Sequence, residues 1–271
     1  MDRREAILRE LNLYPQWKRR DAPAPAPLAA EPDAAIRQEA AVPAAAAGSM
    51  HKADIPTLAV QQHAKAEPIH APAVAPYSDA AGLGWPALKQ RVSACTLCKL
   101  RAGCTQTVFG VGDEHADWLF VGEGPGADED ALGEPFVGQA GKLLDNMLMA
   151  IRLKRGNNVY IANIVKCRPP GNRNPDAEEI AACLPYLQRQ IELIQPKVIV
   201  ALGKVASNAL LGRDATLASL RGKLHDYRGV PLLVTYHPAY LLRSPSEKAK
   251  AWQDLCIAQN KMHESEQPTE K

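Results

Sequence analysis

The residues best suited to bind a ligand lie in the segment VGEGPGADEDALGEPFVG, residues 121–138. Three of its glycines, Gly122, Gly124 and Gly126, allow main-chain atoms to approach a flat or anionic ligand closely. Phe136 lies outside any amphipathic repeat, which suits a ring that stacks on a ligand. An ordinary strand-to-helix turn with an acidic helix start accounts for the same segment equally well. The segment alone does not decide between a binding loop and a plain turn.

Cysteines form the second group of residues with chemical potential. Cys95 and Cys98 make a C-x-x-C pair, and Cys167 and Cys183 follow further along the chain. Four thiolates can bind either a zinc ion or an iron–sulfur cluster, because both accept tetrahedral sulfur ligands. Cys104 is near enough to the C-x-x-C pair to be an alternative fourth ligand, and spacing does not exclude it.

A scaffold of alternating strands and helices is predicted to position these residues. Four apolar, β-rich segments are predicted as strands, at residues 118–121, 159–165, 197–202 and 231–236. Helices are predicted at residues 85–94, 141–151, 176–194, 204–211 and 246–262, the third of them capped by Asp176. Strands that alternate with helices indicate a parallel sheet with helices on both faces.

In such sheets, ligands bind beyond the carboxyl ends of the strands. The glycine-rich loop follows the first predicted strand, Asn163 lies late in the second, Gly203 ends the third and His237 ends the fourth. A buried amide at Asn163 needs partners at both ends, which its own backbone neighbours can provide. The convergence of an asparagine, a histidine, a phenylalanine and a glycine loop at one edge nevertheless favours a binding site.

Composition limits the class of protein. The chain has 271 residues, 46% of them hydrophobic, which is enough for one substantial domain. The net charge of +2 is too small to predict nucleic-acid binding, so such a prediction must rest on local clusters. No run is as long as a transmembrane helix, and the charged N-terminus lacks the features of a signal peptide. We expect a cytoplasmic protein with no membrane partner, whose cysteines serve metal binding or catalysis before disulfides.

The chain divides by composition into four parts. Residues 1–20 have the pattern of a short helix, which is either inert or a tethered peptide that binds a partner. Residues 21–77 are dominated by alanine and proline and are predicted to be a disordered tether. The folded domain is predicted at residues 78–262, and residues 263–271 are predicted to be a flexible tail.

Several long motifs resemble those of one known family. VGEGPGADED, EPFVGQAGKLL, YIANIVKCRPPGNRNP and YHPAYLLR are similar to segments of the family 4 uracil-DNA glycosylases, an iron–sulfur branch of the uracil-DNA glycosylase superfamily. The resemblance spans residues 88–258 and leaves out the N-terminal extension. It implies a three-layer α/β/α sandwich, whose central sheet we expect to be mostly parallel and to consist of the four predicted strands. It also implies an enzyme that flips uracil out of DNA and hydrolyses its N-glycosidic bond.

The same resemblance implies a [4Fe-4S] cluster. By motif position its ligands are Cys95, Cys98, Cys167 and Cys183, and Cys104 lies outside the set. We expect the cluster to have a structural role, because these cysteines join the segment before the first predicted strand to the segment after the second.

Roles in the uracil pocket follow from the motifs that match. Phe136 resembles the family's stacking residue, and Gly124 belongs to the loop beside it. Asn163 resembles the residue that reads the base, since an amide can accept from N3–H of uracil and donate to O4. His237 resembles the residue that faces uracil O2, where negative charge develops as the bond breaks.

Two glutamates are expected to act in catalysis. In the best-known uracil glycosylase family an aspartate of the first motif positions the water, whereas this chain has no aspartate there until Asp128. Glu123 is expected to orient the water or to stabilise the sugar cation. Glu129 resembles the residue near uracil C5 that helps to exclude the thymine methyl. Asp128 and Asp130 are interpreted as helix-end charges.

Residues at the same edge are expected to contact DNA. The basic ones, whose alternative is a solvated surface charge, are Lys166, Arg168, Arg173 and Arg243. Leu242, or one of its neighbours Tyr240 and Leu241, is expected to wedge into the gap that the flipped base leaves.

The expected partner is uracil-containing DNA, single- or double-stranded, bound by a monomer associated with the nucleoid. A repair or replication partner is a further expectation for residues 1–20. Two other classes compete with this prediction: a DNA-binding module related to phage polymerases, and a redox or zinc protein. The intact set of Phe136, Asn163 and His237 argues against both.

Overall fold

The computed structural model describes residues 80–266. The predicted N-terminal helix and tether, and the last residues of the predicted tail, lie outside this range. Within the described part of the chain, no helix is both long and apolar enough to span a bilayer.

Strands and helices alternate along the described chain. The strands are β1 (Val111–Gly112), β2 (Trp118–Gly122), β3 (Val159–Asn163), β4 (Val198–Leu202), β5 (Leu224–Tyr227) and β6 (Val230–Thr235). The helices are α1 (Trp85–Ser93), α2 (Leu100–Gly103), α3 (Ala127–Leu132), α4 (Gln139–Ala150), α5 (Ala177–Ile194), α6 (Lys204–Leu211), α7 (Leu217–Leu220), α8 (Pro238–Arg243) and α9 (Lys248–Glu266). Two short 3₁₀ turns, Pro170–Asn172 and Pro245–Glu247, complete the list.

All strands belong to one sheet in the order β1-β3-β2-β4-β6-β5. The four central strands are parallel, which confirms the four predicted strands, and β1 and β5 add antiparallel edges. The predicted four-stranded sheet is therefore corrected to a mixed six-stranded one. Sequence reasoning missed the edges because β1 has only two residues and β5, LHDY, is largely exposed. Arg228 and Gly229 both have positive φ, which forms the tight hairpin from β5 to β6.

Two hydrophobic cores lie on opposite faces of the sheet, which confirms the three-layer sandwich. Successive side chains of β2 alternate between them: Leu119 and Val121 belong to one core, and Trp118 and Phe120 to the other. Helices α1, α5 and α6 pack on the first face, whereas α4 and α9 pack on the second. The central strands β2, β3 and β4 are buried throughout, as strands of a parallel sheet covered on both faces should be.

Helix boundaries follow local capping chemistry. The Asp176 carboxylate accepts from the N–H of Glu179 at 2.9 Å, and Glu179 accepts in return from the N–H of Asp176 at 2.9 Å. This capping box confirms the predicted start of α5. Helix α9 runs to Glu266, so the folded part extends beyond the predicted end at residue 262.

Candidate active site

A cavity of about 390 Å³ opens where the central strands end, and we call it the rim pocket. Its size is that of a small-molecule site. The structure brings into its wall many of the residues that the sequence singled out: Glu123, Gly124, Glu129, Phe136, Asn163, Arg173, His237 and Arg243. The strand-end rule therefore located this cavity correctly.

Asn163, the last residue of β3, contributes an amide to the rim pocket. The residue is 2% exposed, and its Oδ1 has no hydrogen-bond partner among residues 80–266. A buried polar atom without a partner is costly, so its presence calls for an explanation such as a bound ligand. Gly122 lies against it, because a Cβ there would collide with Asn163 Oδ1 and with the Phe136 ring. Only glycine therefore fits where these two side chains meet.

Phe136 is buried in the wall of the rim pocket, with a backbone φ of 56° that is uncommon for a residue with a side chain. Arg155 holds this conformation from one side. Its guanidinium donates to the carbonyl oxygens of Pro135 at 2.9 Å and Phe136 at 2.7 Å, and to Asp145 at 3.0 Å. Sequence reasoning missed Arg155, because nothing in its local sequence indicates a contact with a loop 19 residues earlier.

Glu129 holds the same loop from the other side. Its Oε1 accepts from the N–H groups of Val137 at 3.0 Å and Gly138 at 3.1 Å, and its Oε2 accepts from Gly126 N–H at 3.1 Å. The carboxylate thus caps helix α3 and fixes the loop that carries Phe136. Helix α3 was not among the predicted helices. We interpret Glu129 as a positioning residue, because its oxygens are engaged by backbone amides. Its expected place near uracil C5 stays a prediction.

Glu123 differs from Glu129. Its side chain lines the rim pocket, and no hydrogen bond or ion pair to its carboxylate is found in the described part of the chain. Burial raises the pKa of the Glu123 carboxyl above its ordinary value. Of the two glutamates, Glu123 is the one available to hold a water molecule.

His237 caps helix α8, and this contact defines its tautomer. The ring Nδ1 accepts a hydrogen bond from Ala239 N–H at 3.2 Å, so in the neutral ring the proton is on Nε2. Burial, assisted by the nearby charge of Arg243, lowers the pKa of His237 to about 4. The ring is therefore a neutral Nε2–H donor at pH 7, with its centroid 5.4 Å from that of Phe136.

Lys166 was expected to contact DNA, and the structure contradicts this. The side chain is 1% exposed, and its ammonium donates to the main-chain oxygen of Asn163 at 2.9 Å and to Gln190 Oε1 at 2.6 Å. A buried ammonium held by two internal acceptors cannot reach a phosphate. Asp130 was interpreted as a helix-end charge, but it is also buried and accepts from Thr105 N–H at 2.9 Å.

The other residues expected to contact DNA lie at the surface. Arg243 and Leu242 are exposed on α8, and Arg243 lines the rim pocket. Arg168 is partly exposed and donates to Asn172 at 2.7 Å. Arg173 is exposed but forms two hydrogen bonds with the buried Glu179, at 2.6 and 2.8 Å, so part of its charge is compensated.

Four cysteines line a second cavity, which we call the four-cysteine cavity. They are the four that the motif positions selected, Cys95, Cys98, Cys167 and Cys183. Burial raises the pKa of the Cys183 thiol to about 12, although a hydrogen bond from Lys166 N–H at 3.2 Å opposes this. Cys104 does not line the cavity. It lies near Cys167, however, and its thiol, together with burial, raises the pKa of the Cys167 thiol. Between residues 80 and 266, no three histidine, cysteine or acidic side chains are close enough to hold a single metal ion.

Comparison with known proteins agrees with this geometry. A sequence profile described as "Uracil DNA glycosylase superfamily" matches residues 109–256. A type-4 uracil-DNA glycosylase of Archaeoglobus fulgidus is 44% identical over 164 residues, which cover 58% of this chain and 82% of the relative. One of Thermotoga maritima is 45% identical over 165 residues, covering 60% and 85%. One of Pyrobaculum aerophilum is 42% identical over 178 residues, covering 63% and 90%.

The profile covers more than half of the chain, and it includes Asn163 at the end of β3 and His237 at the start of α8. The three relatives are matched over more than two thirds of their own lengths. The profile and the three relatives indicate the same family, and the matched region contains the residues of the rim pocket. The chain belongs to the uracil-DNA glycosylase superfamily, in its type-4 group.

Proposed function

We propose that this protein removes uracil from DNA by hydrolysing the N-glycosidic bond, which releases free uracil and leaves an abasic site. The observation that carries the proposal is the buried Oδ1 of Asn163, which lines the rim pocket without a partner. Uracil has an N–H group at N3 that this oxygen can accept from, whereas cytosine has no proton on that nitrogen. A wrong base would leave the amide buried and unpaired, which is a strong basis for discrimination.

The base must leave the DNA stack to reach this amide, since the bond to be cleaved is not accessible in a duplex. The rim pocket offers the flipped base a flat apolar face at Phe136, whose loop is already fixed by Glu129 and Arg155. Stacking on Phe136 holds the uracil ring, and hydrogen bonds to Asn163 recognise its polar edge. A preformed pocket reduces the ordering that binding requires.

Bond cleavage leaves negative charge on uracil and positive character on the sugar. The Nε2–H of His237 is the donor that can stabilise the departing uracil at O2, as a donor in an oxyanion hole does. Glu123, whose carboxylate has no internal partner among the described residues, can orient the attacking water or stabilise the sugar. Glu129 acts on neither and keeps the Phe136 loop in place.

DNA is proposed to lie across the mouth of the rim pocket. Arg243 is exposed at this mouth and can contact a phosphate, and Leu242 beside it can occupy the space of the flipped base. Arg168 and Arg173 are further candidates on the loop after β3. We propose that the enzyme acts as a monomer and that residues 1–20 bind a repair or replication partner.

A [4Fe-4S] cluster is proposed for the four-cysteine cavity. Its four thiols come from the segment before β2, the segment after β3 and helix α5, and most of the other residues that line the cavity are apolar. Four cysteine thiolates are a ligand set that would hold such a cluster. When bound, the cluster joins these segments and takes no part in bond cleavage.

The test uses matched oligonucleotides that carry one uracil or one thymine, in single- and double-stranded form. We expect free uracil and alkali-labile strands from the uracil substrates, and no product from the thymine ones. The Asn163→Ala protein, loaded with iron to the same extent, is the matched control and should be nearly inactive. A wild-type protein with full iron content that releases no uracil would refute the proposed function.

A further inference from the structure

Lys166 is a buried cation that the proposed mechanism does not use. It follows the end of β3 by three residues, and its side chain is 1% exposed. Its ammonium donates to the main-chain oxygen of Asn163 at 2.9 Å and to Gln190 Oε1 at 2.6 Å. Burying an ammonium group is costly, so these two hydrogen bonds have to offset a large desolvation penalty.

The acceptor on helix α5 is itself held in place. Gln190 is fully buried, and its Nε2 donates to the main-chain oxygen of Phe109 at 3.0 Å and to the Tyr160 hydroxyl at 3.4 Å. The amide is therefore oriented with its oxygen toward the ammonium. Lys166 thus links the end of the strand that carries Asn163 to a fixed point on α5.

The same residue also borders the four-cysteine cavity. Lys166 is among the residues that line this cavity, and its peptide N–H donates to Cys183 Sγ at 3.2 Å. One residue therefore contacts the main chain of the base-reading asparagine and a thiol of the proposed cluster site.

We infer that Lys166 is a positioning residue that couples the four-cysteine cavity to the amide of Asn163. The inference rests on the proposed function, because it assumes that Asn163 reads a base. The ammonium links the main chain at Asn163 to Gln190 on helix α5, which also carries Cys183. The peptide N–H of Lys166 donates to Cys183 Sγ. Loss of the ammonium should shift the amide within an otherwise intact pocket and weaken retention of the cluster.

Two variants of the full chain separate these effects. Lys166→Met is close in size and removes both the charge and the donors, whereas Lys166→Gln removes the charge and keeps a shorter N–H donor. Lys154→Met is the matched control, since Lys154 is exposed near the amino end of β3, away from both cavities. Each protein is measured for kcat and KM on uracil-containing DNA, and for the rate at which a chelator removes its iron.

We expect kcat to fall about tenfold in Lys166→Met with KM changed less than about twofold, because misplaced groups slow the reaction step more than they weaken DNA binding. Lys166→Gln should lose less of kcat, and both variants should release iron several-fold faster than wild type. Lys154→Met should match wild type in every measurement.

A Lys166→Met protein with kcat and iron release both within twofold of wild type would overturn the inference. A loss of kcat matched by an equal rise in KM would also overturn it, since that pattern indicates general loosening. If Lys166→Met does not fold, the same measurements on Lys166→Gln decide whether the inference stands. A wild-type protein that excises no uracil would refute the proposed function instead, and the iron measurements would still test the contact with the cavity.

Discussion

The two cavities of this molecule share strand β3 and the residues after it, yet they are stabilised differently. The rim pocket is held by hydrogen bonds within the protein: Glu129 accepts from N–H groups of the Phe136 loop, and Arg155 donates to carbonyl oxygens of the same loop. The four-cysteine cavity is walled mainly by apolar and thiol groups, and burial disfavours the thiolate forms of Cys167 and Cys183. The rim pocket is formed by contacts within the protein, whereas the four-cysteine cavity is the site for which we propose a bound cluster. A change in the rim pocket should therefore alter chemistry, and a change among the cysteines should alter the fold.

The largest effect is expected for Cys183→Ala. It removes one of four proposed attachment points and leaves an unfilled space in a core otherwise made of well-packed groups. Because metal binding and folding are coupled, iron, solubility and uracil excision should be lost together. Iron and sulfide analysis of the purified protein checks this, with Cys104→Ala as the matched control. A colourless Cys104→Ala protein beside a fully loaded Cys183→Ala protein would reverse the assignment of ligands.

Asn163→Ala should reduce uracil excision without changing the fold or the iron content. The amide lies on the surface of the cavity and Oδ1 has no partner in the described chain, so the fold loses little. We expect uracil excision at saturating DNA to fall by about 10²- to 10³-fold, the size seen when one aligned polar group is removed from an active site. Iron content and the unfolding midpoint should stay at wild-type values. Excision at the wild-type rate would show that Asn163 does not read the base.

Gly122→Ala tests whether the pocket needs close contact between Asn163 and Phe136. A Cβ at this position would collide with both side chains, so one of them has to move. We expect about a 10²-fold loss of excision, since a displacement of about 1 Å at a reacting site can cost that much. Ala162→Gly in the same sheet is a control for general weakening of β3. Wild-type kinetics for Gly122→Ala would mean that the two side chains are not fixed against each other.

Glu129→Gln should have a smaller effect that reaches both stability and activity. The amide keeps one acceptor oxygen, but its NH₂ group faces an N–H where the carboxylate oxygen was. We expect the free energy of unfolding to fall by about 1–2 kcal/mol, the range for a lost helix cap or charged hydrogen bond. Excision should fall by about tenfold because the Phe136 loop is loosened. Denaturant unfolding and single-turnover kinetics measure the two effects, and an unchanged stability would contradict the proposed clamp.

The smallest expected effect is the contribution of His237 to the pH dependence of the free energy of unfolding. Its pKa is lowered to about 4, below the ordinary value near 6.5, so the folded protein resists protonation that the unfolded chain accepts. The resulting stability is present above pH 6.5 and is lost as the pH falls toward 4. Between pH 8 and pH 6.5 the ring stays neutral. An NMR titration of the imidazole should show no transition near pH 6.5, and a midpoint there would contradict a buried neutral donor.

Local patterns predicted the central scaffold and the strand-end pocket, but not the partners of individual charges. The apolar runs of the four parallel strands and the capping residues of α5 act within a few neighbours, so the sequence reveals them. Lys166 looked like a DNA contact because its acceptor, Gln190, is 24 residues away. Arg155 gave no sequence signal because its carbonyl partners lie on a loop beyond helix α4. Such pairings are set by packing, which local sequence does not encode.

The doubly braced segment 135–138 has a consequence for how a base enters. The N–H groups of Val137 and Gly138 are held by Glu129, and the carbonyls of Pro135 and Phe136 are held by Arg155. Opening this wall as a lid would break these four hydrogen bonds, so we expect it to stay in place. The opening motion therefore has to occur in the DNA, so the entry rate depends on how readily the uracil unstacks. Uracil opposite guanine, or near a strand end, should enter faster than uracil in a stable A·U pair, with no change in the protein at all.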